Sequence, residues 1–263
     1  MDTQMRMGQG IQQRRPLSVA GFQQLVTAPR LKLEQNVIWG DVDLTDVSFW
    51  NKPINFAKMR SQGIAGTVIR AGQNTWEDNQ WDVNWKNSKE AGILRGSYWF
   101  MDSRSGVKSQ ADLYSNLLKP DMGELMVTVD YEENYGGPNG GWKKLYDFLE
   151  RLQANGIPKE KIWIYTGYWY WLAHSPQRNT ASERASLEYF ADYNLWIAYY
   201  NRNPANVRIP KPWKDGKMWQ WGTPIYGDKL GLGSKESDMN KWTGGIDDFR
   251  NFWKFRVGDN GCL

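Results

Sequence analysis

The stretch LMVTVDYEEN, residues 125–134, decides how this sequence is read. Its first five residues, Leu125 to Val129, form an apolar, β-branched run fit to be a buried strand. The run ends abruptly in Asp130, Glu132 and Glu133. Carboxylates at the end of a buried strand cost free energy unless something there uses them. The strand therefore has to end in a place where charge is useful.

Working outward, from Val37 the chain alternates apolar stretches of strand length with amphipathic stretches of helix length. The strands are VIWGDVDL, AGTVIRAG, LRGSYWFM, ELMVTVD, KIWIYTG, LWIAYY and GKMWQWG, with a weak eighth expected near Asn206–Pro210. Helices are expected over INFAKMRSQGI, over DNQWDVNWKNSKEAGI to a stop at Gly92, and over VKSQADLYSNLLK to a stop at Pro120. Two more cover GWKKLYDFLERLQANGI, stopping at Gly156, and SERASLEYFADY. Such alternation means a parallel sheet. The number of units predicts an α/β fold, a (β/α)8-type barrel irregular in places, over residues 37–263. Residues 1–36, rich in Gln, Arg and Met with little periodicity, are expected to be a poorly structured arm or linker. The rival, an open doubly wound sheet, would usually bring a Gly-rich phosphate turn. GGPNGG at 136–141 lacks that spacing.

Composition narrows the chemistry. The single histidine, His174, rules out a Cys/His or multi-His zinc site and leaves any His-dependent nucleophile resting on one residue. His174 lies in a polar, turn-like setting, WLAHSPQRN, and is expected at the surface. Cys262 is the only cysteine, so the fold has no internal disulfide. Of the net charge of +4, the first 36 residues supply most, with five Lys/Arg against two acids. A basic arm of this kind is a solvated tail or a contact for an anionic polymer or a structural partner. No run is long and apolar enough to span a membrane, and the N-terminus shows no secretory hydrophobic region. The 16 Trp suit a carbohydrate or peptide groove, because a flat apolar ring stacks on a sugar while its N–H stays wet.

Active sites of parallel barrels lie at the C-terminal strand ends. Those ends carry Asp41, Asp43 and Asp46, then Arg70, then Tyr98, Trp99 and Asp102, then Asp130, Glu132 and Glu133. Tyr165 and Thr166 follow, then Trp196, Tyr199 and Tyr200, then Trp219, Gln220 and Trp221, with Asp238 and Asn240 in the loop beyond. Asp130 and Glu132 are two apart, so on a strand they point the same way, roughly 7 Å apart at Cα. A carboxylate pair walled by aromatics fits glycoside hydrolysis: one acid protonates the leaving oxygen, and a second carboxylate supports the cationic centre or activates water. Capping helices or pairing Arg70 is the bland reading of one such pair; the whole ring favours catalysis. A Mg²⁺ or Ca²⁺ phosphoryl-transfer site would want more basic residues than Arg70 and Arg95.

DVSFWNKPINFAKMRSQGIAGTVIRAG (46–72) resembles the opening of the family 25 glycoside hydrolases, the Chalaropsis-type lysozymes. DNQWDVNWKNSKEAGILRGSYWF, VTVDYEEN, IWIYTGYWYW, LWIAYY and WQWG…SDMNKWTGG are similar to its later segments, in order, over roughly 37–253. The resemblance implies hydrolysis of peptidoglycan at the β-1,4 bond between N-acetylmuramic acid and N-acetylglucosamine, without metal or cofactor. It implies Glu132 as general acid and Asp130 as its assistant, with Asp46 and Asp238 completing the cluster. Tyr98 and Tyr165 would meet the reacting sugar, and Trp196, Tyr199 and Trp219 would build the groove; Asn240 and Arg70 join the substrate-binding set. Three departures stand out: Asn51 replaces the family's Gln, Trp99 replaces its His, and Asp43 competes with Asp46 as the first-strand carboxylate. A phage or prophage product acting on the bacterial wall, an endolysin released by lysis or holin or a virion component, suits the arm and the missing signal. The alternative is a wall-binding or virion structural protein on the same fold.

Overall fold

The computed structural model describes residues 39–133, 141–177, 179–201 and 203–254. The expected arm, residues 1–36, and Cys262 lie outside them. Among the described residues nine strands occur: β1 (Trp39–Val47), β2 (Ile64–Gln73), β3 (Trp76–Glu77), β4 (Leu94–Phe100), β5 (Val127–Asp130), β6 (Ile162–Gly167), β7 (Asn194–Ala198), β8 (Met218–Gly222) and β9 (Asp238–Thr243). They follow the order β1-β9-β8-β7-β6-β5-β4-β2-β3, and β1 also pairs with β2. Eight strands therefore close a barrel, and β3 is a short hairpin partner of β2 at its upper rim. Seven barrel strands run parallel; β9 is antiparallel to both β8 and β1.

The eighth strand is thus not near Asn206–Pro210. Pro204–Asn206 forms a 3-10 turn and residues 207–210 are irregular. The gap is closed by Asp238–Thr243, whose polar and charged sequence, DMNKWT, reads as loop. Because β9 runs the other way, its first residue, Asp238, stands opposite Asp46 at the mouth formed by the C-terminal ends of the other strands.

Two apolar layers hold the barrel. Val68, Leu94, Met126, Trp163 and Trp196 fill the interior, while Ile69, Val127, Ile164 and Ile197 face the helices, as the period of two requires. On α4 (Gly141–Ala154), Leu145, Phe148, Leu149 and Leu152 recur at helical spacing and are fully buried. Each such side chain contributes about 1.5–3 kcal/mol by leaving water. Gly156, at φ +91°, ends that helix as expected, and Gly92, at φ +66°, follows α2 (Trp81–Glu90). The helices also include α1 (Phe56–Ser61), α3 (Val107–Leu118), α5 (Tyr168–His174), α6 (Ala181–Tyr189), α7 (Gly227–Leu230) and α8 (Ile246–Trp253). At the lower end, Trp253 of α8 stacks on Trp163 at 5.7 Å, and Trp242 packs beside them.

Candidate active site

Strand alternation delivers one side chain per two residues into the barrel, so the mouth is built from residues in register. Tyr98 of β4 pairs with Arg70 of β2 and Thr128 of β5, and Asp130 pairs with Tyr165 and, through it, with Trp196. Glu132 follows β5 by two residues and is 6% exposed, whereas Asp130 is fully buried. Neither Asp130 oxygen has a hydrogen-bond partner among the described residues. Burial above all pushes the Asp130 carboxyl well up; Glu132, Asp46 and Glu133 push the same way, and Arg70 opposes them.

Asp46 ends β1 at the same level and is 1% exposed. Its Oδ2 accepts hydrogen bonds from Gln220 Nε2 at 2.9 Å and Asn240 Nδ2 at 2.8 Å. Burial raises its carboxyl to about 6, against the lowering effect of those two bonds. Gln220 Oε1 in turn accepts from Tyr165 at 2.9 Å and Tyr200 at 2.8 Å, and Asn240 Oδ1 accepts from the Trp196 indole at 2.7 Å. Trp196 meets Tyr165 edge-to-face at 4.8 Å, so it forms the floor beneath the polar layer.

Arg70 is clamped rather than free. Its Nε donates to Asp78 at 2.7 Å, and its guanidinium lies over Phe49 (4.7 Å) and Trp76 (5.3 Å). Asp78 also accepts the backbone N–H groups of Phe49 and Gln80, fixing the loop after β1 to the β2–β3 rim. Asp43 resolves the first-strand ambiguity. Its carboxylate pairs with Lys241 at 2.7 Å, below the mouth, and Asp46 alone joins the cluster.

The structure therefore gathers Asp46, Asp130, Glu132 and Asp238 at one end of the barrel, with Arg70, Tyr98, Tyr165, Trp196 and Asn240 around them. Asp238 and Asn240 lie on strand β9, not in a loop. Trp219 and Tyr199 are placed elsewhere. Trp219 alternates with the inward Gln220, so its ring packs outward at 5.5 Å from Trp39, and its indole donates to the Tyr199 carbonyl. Tyr199 packs on the outer layer against Tyr168 at 5.5 Å; its neighbour Tyr200 is the one that bonds into the site. Gln220 and Tyr200 stand among the strand-end residues but outside the assigned site, and both bond into it. The signal for Gln220 was a lone polar residue in MWQWG, on the same face as Met218.

Two aromatic groups flank the mouth. Phe49 and Trp50 (4.5 Å apart) with Trp76 rise from the β1 and β2 ends. Tyr168 and Trp169 (4.9 Å apart) rise from the β6 end. In the strand order, β1 stands across the barrel from β6, so the carboxylates lie between the two groups. A surface pocket of about 370 Å³ beside Tyr168, Leu172, Leu187 and Pro210 contains none of the carboxylates. His174 is half-buried rather than a surface residue: its ring lies 4.4 Å from Tyr170 and its carbonyl accepts the Tyr131 hydroxyl. Among the described residues, no group of His, Cys, Asp and Glu is arranged to hold a metal ion.

The sequence profile of Glycosyl hydrolases family 25 matches residues 45–226. Lysozyme M1 of Streptomyces globisporus is 25% identical over 216 residues, covering 76% of this chain and 67% of that protein. The uncharacterized protein YegX of Escherichia coli strain K12 is 27% identical over 215 residues, covering 79% of this chain and 71% of its own. The crystal structure of the bacterial lysozyme from Streptomyces coelicolor has a similar fold, with a TM-score of 0.62 at 22% identity, over 82% of this chain and 98% of that one.

Proposed function

Because this chain belongs to Glycosyl hydrolases family 25, and is thus a glycoside hydrolase, we propose that it cleaves peptidoglycan at the β-1,4 bond between N-acetylmuramic acid and N-acetylglucosamine. The observation that carries the reading is the Asp130–Glu132 pair, enclosed at the mouth of the barrel between two aromatic groups. Carboxyls this close release their protons as a pair. Burial and the surrounding carboxylates keep a proton on that pair above the ordinary carboxylate range. Glu132, the less buried member, is the one that passes it to the glycosidic oxygen as general acid. Asp130 remains as the anion that orients the N-acetyl group or polarises water, with Asp46 and Asp238 bounding the charge. Tyr98 and Tyr165 shape the position of the reacting sugar above the Trp196 floor, and the flanking aromatics stack on sugars to either side. The wall polymer is thus the partner; no cofactor enters the scheme.

The test is clearing of a peptidoglycan suspension, with the released ends identified by mass spectrometry, for wild type beside Glu132→Gln. Wild type should free reducing N-acetylmuramic acid ends. Glu132→Gln should fall by about a thousandfold in kcat, the scale of a lost general acid, with its thermal midpoint unmoved. Wall binding without any cleavage by wild type would instead support a binding module on this fold.

A further inference from the structure

We propose that Gln220 is a positioning residue: its amide, held end for end by two tyrosines, makes Asp46 Oδ2 a permanent acceptor, leaves Oδ1 as the oxygen on which Asp46 holds a proton, and so sets how tightly that proton is held. The inference rests on reading Asp46 and Asp130 as members of the hydrolytic cluster.

The two amides that reach Asp46 are oriented by their other ends. An indole N–H only donates. Trp196 Nε1 therefore fixes Asn240 Oδ1 at 2.7 Å as the acceptor, and Asn240 Nδ2 must face Asp46 Oδ2 at 2.8 Å. Tyr165 and Tyr200 converge on Gln220 Oε1 at 2.9 and 2.8 Å, which turns Gln220 Nε2 to the same Oδ2 at 2.9 Å. Flipping Gln220 would set a carbonyl oxygen against a carboxylate oxygen at that distance, a repulsive contact in a site of low dielectric. Both donors thus fall on one oxygen of Asp46.

The other oxygen, Oδ1, is buried and meets no partner among the described residues, and both oxygens of Asp130 share that condition. Two enclosed carboxylates with three unbonded oxygens are costly as a pair of anions, and a proton on Asp46 Oδ1 lowers that cost. The groups facing Asp46 are Tyr98 on β4, Asp130 on β5, Tyr165 on β6 and Asp238 on β9, with Arg70 of β2 as the cation of the set. Acids outnumber that cation. Burial raises both Asp46 and Asp130, in keeping with a proton retained there.

The experiment is a carboxyl-carbon NMR titration of protein labelled at Asp Cγ, with Asp46 assigned by Asp46→Asn. Wild type is compared with Gln220→Met and Tyr200→Phe, and the pH profile of kcat on a soluble wall glycan is recorded for each. Gln220→Met keeps the length of the side chain, adds no charge and no longer donates to Asp46. The Asp46 midpoint should rise by about one pH unit or more, roughly tenfold in proton affinity. Tyr200→Phe, with Tyr165 still holding the amide, should give a smaller rise in the same direction. The limb of the kcat profile set by the cluster should move by matching amounts. An Asp46 midpoint unchanged in both folded variants, or a kcat lowered equally at every pH, overturns the proposal. A wild type whose Asp46 titrates and shifts as expected yet cuts no wall keeps this inference and removes the hydrolase reading; cleavage with an unmoved midpoint does the reverse.

Discussion

Two buried arginines, each 1% exposed, are treated differently: Arg70 at the mouth and Arg95 on the outer face of β4. Arg95, at the lower end, has every part of its guanidinium engaged. Nε and NH2 donate to Glu124, NH1 and NH2 donate to Asp121, and the plane lies 4.5 Å over Trp85. Arg70, at the upper end, bonds only Asp78 through Nε, and its NH1 and NH2 meet no acceptor among the described residues. Buried polar groups are normally satisfied, and exceptions gather where a protein works rather than where it is merely held together. The contrast is one of charged groups: the unbonded Asp130 oxygens lie above, whereas the buried groups without a partner in the Trp163–Trp253 closure below are neutral indole N–H groups. The lower end is built for stability and the upper end for chemistry, as the barrel geometry leads one to expect.

The largest test of that contrast uses pH. Burial lifts Asp46 from 3.8 to about 6, so between those values the unfolded chain ionises while the folded site keeps its proton. The contribution is full below about pH 4 and is lost as pH rises to about 6, a fall of about 3 kcal/mol by linkage. Asp121 at the lower end runs oppositely. Burial raises it, but the Arg95 and Lys89 hydrogen bonds outweigh that and hold it low, so its contribution is lost as pH falls. Asp46→Asn should therefore flatten the decline in stability between about pH 4 and about pH 6 in urea melts. A decline as steep as wild type's would mean that the upper end does not hold this strained carboxyl.

Next in size is Arg95→Met. It strands two carboxylates and removes the contact with Trp85. A fully buried broken pair costs about 3–5 kcal/mol. Asp121 and Glu124 are about a third exposed, so about 2 kcal/mol is expected. Cleavage per folded molecule should stay at the wild-type rate, since Arg95 is remote from the mouth. The complementary change is Arg70→Met with Asp78→Asn. Removing both partners of a buried pair is close to neutral for stability. It should nevertheless lower kcat/KM about tenfold, roughly 1.4 kcal/mol, because the cation opposing the Asp130 shift is gone. If the double change destabilises as much as Arg95→Met and spares kcat/KM, the two arginines play one role and the contrast collapses.

The upper end was also the more legible one, and its failures have physical causes. Continuous apolar runs such as TVIRAG and LMVTV announce parallel strands, and the three acids after the second of them announce the mouth. What the sequence concealed were parity and closure. The family resemblance points to Trp219 and Tyr199 as groove residues rather than to their neighbours Gln220 and Tyr200; which of two neighbours faces inward depends on strand register. At β8 that register slips between Gln220 and Gly222. The closing strand, Asp238–Thr243, was hidden because four of its six residues are polar, and two of those four, Asp238 and Asn240, face the site.

The smallest expected effect sharpens the contrast within a single strand. Asp43 and Asp46 are three residues apart on β1, and a register shift between Asp43 and Leu44 separates their surroundings. Asp46 sits among amide donors and acids at the mouth; Asp43 sits beside Lys241 with both side chains partly exposed, at 19% and 14%. Burial raises Asp43 too, with Lys241 pulling it back, so a shifted carboxyl alone does not mark the working residue. What differs is the set of groups each one faces. A partly exposed pair is worth less than about 1 kcal/mol. Asp43→Asn should therefore cost less than that in urea melts and leave turnover within about twofold of wild type. A large loss of turnover from Asp43→Asn, with Asp46→Asn nearly silent, would move the first-strand carboxylate of the site from Asp46 to Asp43 and require β1 to pair with β9 in a different register.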